Sequence, residues 1–136
     1  MASGIYDRCR ANWLNKIVDM EADAFIVILL NNSHSFNTAH NELSEITANQ
    51  LATTGGYTQD DKSLASPGVT QATAVKWDAT DTAWTSATFT AYFAAIYDDD
   101  VASDPLICTI DFGAAKEVVA GTFTIEWNAA GILTVS

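Results

Sequence analysis

The sequence predicts a mainly β domain: an antiparallel β-sandwich or jelly-roll-like fold of about eight strands with an N-terminal amphipathic helix. Three observations predict it. From Tyr57 onward apolar side chains recur at every second position, the signature of half-buried antiparallel strands. Ala24 to Leu30 is a continuous, β-branched apolar run, as in a strand buried on both faces. Near the start, Tyr6, Cys9, Trp13 and Ile17 recur at helical spacing.

The helix is placed over residues 3–17, with Ser3 as N-cap and Leu14 widening the stripe. Asp7 in the first turn and Lys16 in the last suit the helix dipole. A helix this short is marginal alone, so its stripe must cover something. The strand at 24–30 ends at the turn cluster Asn31-Asn32-Ser33. Between 34 and 56, Leu43, Ile46 and Leu51 fit a helix, and a loop with a short strand fits equally; Thr53-Thr54-Gly55-Gly56 closes the segment as a turn.

Further strands are expected at 57–65, 69–77, 82–86, 88–97, 106–112, 122–127 and 131–135. Val69, Gln71, Thr73, Val75 and Trp77 share one face of a single strand, and Asp78 to Asp81 form a turn. Asn128-Ala129-Ala130-Gly131 reads as a hairpin turn that returns the last strand beside 122–127, with Gly131 left-handed.

The 136 residues make one domain, residues 1–20 being the helix and docking segment and 21–136 the sandwich. Charged residues are 17% of the chain, against about 25% in a typical globular protein. Threonine and alanine replace them, as on a surface that meets other protein or, equally, in a small threonine-rich β protein. The formal charge is −11. Arg8, Arg10 and Lys16 oppose only Asp7 in the first sixteen residues; the rest carries Lys62, Lys76 and Lys116 against every other acid. An acidic body repels phosphate backbones and anionic lipid, so no direct nucleic-acid or membrane binding is expected. The start lacks the basic-then-apolar order of a signal peptide, so synthesis and residence in a cytosol are expected. Cys9 and Cys108 sit among apolar neighbours and read as buried reduced thiols.

No constellation recommends catalysis. His34 and His40, with Glu42 and Glu45 nearby, have a spacing that suits neither a helix face nor a short zinc motif, and read as solvated loop histidines. Asp98-Asp99-Asp100 with Asp104 lacks the glycine and closing glutamate of an EF-hand loop and reads as a solvated turn. Asp111-Phe112-Gly113 matches the kinase magnesium motif in letters only, the other kinase motifs being absent. Neither cofactor nor metal is expected. Trp77 and Trp127 read as core, and Trp13 as part of the helix stripe. Trp84 is the tryptophan open to either reading, core or partner contact.

Several stretches resemble small virion structural proteins of tailed bacteriophages, of the capsid-decoration (cement) or tail-accessory kind. They are Ser3-Gly4-Ile5-Tyr6-Asp7-Arg8 leading to Asn15-Lys16, and Leu51-Ala52-Thr53-Thr54-Gly55-Gly56-Tyr57-Thr58. Ala91-Tyr92-Phe93-Ala94-Ala95-Ile96-Tyr97-Asp98, residues 105–113 and residues 121–132 follow in the expected order. Similar proteins often carry a glycine pair where this chain has Asp60-Asp61. The resemblance implies a non-enzymatic virion protein, made in the host bacterial cytoplasm. It implies a symmetric homo-oligomer, a trimer by expectation, that binds the major capsid protein or another virion protein. The expected docking side chains are Tyr6, Arg8, Arg10, Trp13, Lys16 and Trp84. A tail, neck or fibre-associated role is the alternative. So is a carbohydrate-binding sandwich that stacks sugar on Trp84, Tyr92 or Tyr97.

Overall fold

The computed structural model describes residues 3–71 and 73–135. In chain order they form β1 (Gly4–Ile5), α1 (Asp7–Leu14), β2 (Phe25–Leu30), β3 (Lys62–Ser63) and β4 (Ala65–Gln71). Then come β5 (Val75–Thr80), β6 (Thr82–Asp98), β7 (Leu106–Ile125) and β8 (Leu133–Val135). The fold is mainly β, every pairing is antiparallel, and one short helix stands near the N-terminus.

A five-stranded sheet has the order β1-β7-β6-β2-β3, and a three-stranded sheet the order β4-β5-β8. Strand β2 is buried along its whole length because it lies inside the large sheet with both faces covered, as its unbroken apolar run requires. Phe25 of β2 meets Trp77 of β5 edge to face at 4.9 Å, which joins the two sheets across the core.

Strands β6 and β7 each merge two expected strands. They form one long ribbon that bends instead of breaking. A straight strand would hold Phe112 and Phe123 roughly 36 Å apart; their ring centroids are 6.1 Å apart. Register shifts between Trp84 and Phe89 and between Ala91 and Phe93 bend the ribbon, with Ser86 and Ala120 at positive φ. Alternation reports side-chain faces and is silent about a bulge, so the sequence pattern shows interruptions where the chain carries on.

Three other expectations need correction. The strand expected over 69–77 is a hairpin: Val69 pairs with Trp77 and Gln71 with Val75, so the shared face arises by pairing across two strands. The strand expected over 57–65 is reduced to Lys62–Ser63 and the start of β4. The last strand does not return beside 122–127. It pairs with β5, because Gly131 (φ +108°) packs against Trp77 and Ile132 donates its amide to the Trp77 carbonyl at 2.7 Å. The left-handed glycine is there, but the turn it makes joins two sheets.

Residues 34–56 hold two short 3-10 turns, Leu43–Glu45 and Thr47–Asn49, the first closed by a capping box between Glu42 and Glu45. At Asp60 φ is +58°. Aspartate is one of the residues that best tolerates this left-handed conformation.

Candidate docking surface

Pairing of Gly4 and Ile5 with Thr109 and Cys108 occupies the chain before the helix, so α1 starts later than Ser3. Tyr6 stands at the N-cap without a side-chain cap, and Ser3 accepts the Asp111 amide instead, at 2.7 Å. The helix ends at Leu14, and Lys16 turns the chain at φ +58°. That reversal carries Ile17 off the stripe. Cys9 and Asn12 face inward, Trp13 is half-buried, and Leu14 is 88% exposed.

The inner face of the small sheet is apolar: Val69, Trp77 and Leu133 form one cross-strand row, Val75 and Val135 another. Trp13 and Met20 cover the first row only in part, with Trp77 Nε1 donating to the Met20 carbonyl at 2.8 Å. A cleft of about 160 Å³ remains between Trp13, Met20 and the valines. Beside it a second cavity, about 360 Å³, lies between Ile5, Arg10, Leu14 and Thr134. Trp13 and Val135 line both, so the surface is continuous. Among the described residues six large apolar side chains are exposed, and four of them (Leu14, Val69, Val75 and Val135) lie here.

The rim is mixed in charge. Arg10 binds the Asp7 carboxylate and the Ile5 carbonyl, each at 3.1 Å. Lys76 reaches Asp78 at 3.7 Å and the Ala129 carbonyl at 2.7 Å. Lys16 is exposed at the helix end. Arg8 lies elsewhere, donating to Asn41 at 3.1 Å beside the tip of the β6–β7 hairpin. Of the side chains expected to dock a partner, Arg10 and Trp13 therefore line the surface, Lys16 follows the helix that borders it, and Arg8 borders a different cleft.

Tyr6 and Trp84 are corrections. Tyr6 is fully buried, its hydroxyl bonded to Thr109 and its ring edge-on to Phe36. Burial raises its pKa to about 12. Trp84 is 3% exposed, packed by Tyr57, Phe89 and Phe123. Tyr97 is buried as well, so Trp84, Tyr92 and Tyr97 assemble no sugar platform. The bend of β7 makes a different aromatic trough, about 620 Å³, between Phe112, Phe123 and Trp127, with Glu117 and Glu126 at its side. Trp127 is half-buried there, short of the core position expected.

His34 also departs from expectation. It is 4% exposed, edge-on to Phe93 at 4.9 Å, with Nε2 3.5 Å from Thr109 Oγ1. Burial, then the nearby His40, holds its pKa below the ordinary value. His40 is half-buried. Asp98, expected in a solvated turn, is fully buried, while Asp99 and Asp100 are exposed. Among the described residues no group of three or more His, Cys, Asp or Glu side chains is placed to hold a metal ion. Cys9 and Cys108 are free buried thiols, and burial pushes Cys9 to about 12 and Cys108 higher still. Both are protonated and inert at neutral pH.

Compared with protein families, curated proteins and solved structures, the chain matches none. No helix among the described residues is long and apolar enough to cross a membrane.

Proposed function

We propose that this chain is a non-enzymatic structural protein of a tailed-phage virion, a capsid decoration protein that binds the outer shell as a symmetric oligomer and stabilises it. The observation that carries the reading is the continuous apolar surface shared by α1 and the small sheet. Apolar area in water costs about 25 cal/mol per Å², and contiguous exposed patches mark interaction sites. On a lattice, each weak contact after the first is effectively intramolecular, so many copies bind by avidity. The sequence resemblance names the class of partner, and the low charge content accords with extensive protein contact.

The test uses particles stripped of this protein. Wild-type chain is expected to pellet with them, whereas Leu14→Glu and Val135→Glu remain in the supernatant with unchanged melting temperature. Equal pelleting of all three removes the surface from the reading, and no pelleting of the wild type removes the reading itself. Stoichiometry near that of the shell subunit marks decoration; a few copies per particle mark a neck, tail or fibre position. Light scattering of the free protein gives the oligomer.

A second reading, a carbohydrate-binding module, is favoured by the aromatic trough, where ring faces stack on sugar and Glu117 and Glu126 accept from hydroxyls. It requires a saturable tryptophan-fluorescence response to glycans that Trp127→Ala abolishes.

A further inference from the structure

We propose that Asp98 and Asp23 hold one proton between them, and that its loss releases the tip of the β6–β7 hairpin from the segment leading into β2. Three observations meet at this point. Asp98 is fully buried, yet its Oδ2 has no hydrogen-bond partner. The ladder partner of Asp98 is Phe25, and the Asp99 amide binds the Ala24 carbonyl, which sets half-buried Asp23, the residue before Ala24, next to Asp98. Asp23 Oδ2 accepts the Asp19 amide at 2.9 Å. The neighbouring Asp23 carboxyl interacts directly with that of Asp98. With both groups ionised Oδ2 has no donor; a proton on either one supplies it.

The other groups facing Asp98 do not neutralise it. From α1 the Cys9 thiol lies within its field. From the tip itself come the amides of Asp100, at 2.8 Å to Oδ1, and Val101. The ion pairs among the described residues are Arg10–Asp7 and Lys76–Asp78, so neither Asp98 nor Asp23 has a cation. Two carboxyls this close, one of them buried, cannot both ionise cheaply. Burial first, then the hydrogen bond with the Asp23 carboxyl, raise the Asp98 pKa to about 7.

The pair sits where two segments are stitched together. Asp99 donates its amide to the Ala24 carbonyl at 2.8 Å, and Ala24 donates to Asp100 Oδ2 at 2.7 Å. Repulsion between Asp23 and Asp98 therefore acts directly on this seam. Below neutral pH the proton closes it; above, the seam loosens while the rest of the ladder holds.

Carboxyl-carbon NMR of the labelled wild-type chain tests the proton. One carboxyl of the pair is expected to titrate near neutrality; two ordinary carboxylate titrations overturn the proposal. Amide exchange tests the release. At Ala24, Asp99 and Asp100 it is expected to rise severalfold above its intrinsic pH dependence as pH passes neutrality. Asp98→Asn and Asp23→Asn each remove one charge and supply a donor, so both are expected to abolish the excess. An excess that survives in both variants, or its absence in the wild type, overturns the proposal.

Discussion

Tyr6 and Thr109, 103 residues apart in sequence, are joined side chain to side chain inside the core. The contact fastens the start of α1 to β7, so the helix is anchored by a buried polar pair as well as by its apolar stripe. Tyr6→Phe removes one partner and is expected to cost about 0.5–1.5 kcal/mol. Thr109→Val leaves the buried Tyr6 hydroxyl unpaired and is expected to cost more, about 1–3 kcal/mol. Urea unfolding of the two variants checks the order.

His34 and Asp98 act on stability in opposite senses across one pH window. The His34 pKa lies below its ordinary 6.5, so the unfolded chain takes up its proton first and His34 stability is lost as pH falls below about 6.5. The Asp98 pKa is raised from 3.8 to about 7, so the unfolded chain releases its proton first. Asp98 stability is therefore lost as pH rises through that interval and is gone above it. The two offset each other in the wild type. Asp98→Asn is expected to expose the acid loss due to His34, and His34→Gln the opposite slope. Urea midpoints measured across the interval check both signs.

Trp84 separates a core role from a partner role. Trp84→Ala opens a cavity among Tyr57, Phe89 and Phe123 and is expected to cost about 3–5 kcal/mol. A tryptophan reserved for a partner would leave the unfolding midpoint unchanged.

Gly55 (φ +61°) packs its α-carbon against the Thr88 carbonyl, and its own carbonyl accepts the Thr88 amide at 2.7 Å. A methyl group there meets backbone, which cannot swing aside. Gly55→Ala is expected to lower stability by more than about 1 kcal/mol, beyond the usual cost of a left-handed alanine. The loss is read as a lowered melting temperature.

On the candidate surface, Trp13 and Arg10 were legible because a short amphipathic helix with cations in an acidic chain is a local pattern. Val69, Val75 and Val135 were not. In sequence they are ordinary strand residues, and only the pairing of β4, β5 and β8 gathers them beside Leu14. The burial of His34 is hidden for a related reason: a histidine between turn residues reads as solvated until Phe93 and Thr109 are brought against it.

Side-chain alternation and the apolar run of β2 determined by themselves that this chain is an antiparallel β protein, because those patterns follow from local backbone geometry. Which strands pair, where the ribbon bends and which valines stay uncovered were decided only by the tertiary structure. Those outcomes depend on bulges, positive-φ corners and contacts between distant residues, and the periodicity of a strand carries no record of its neighbour.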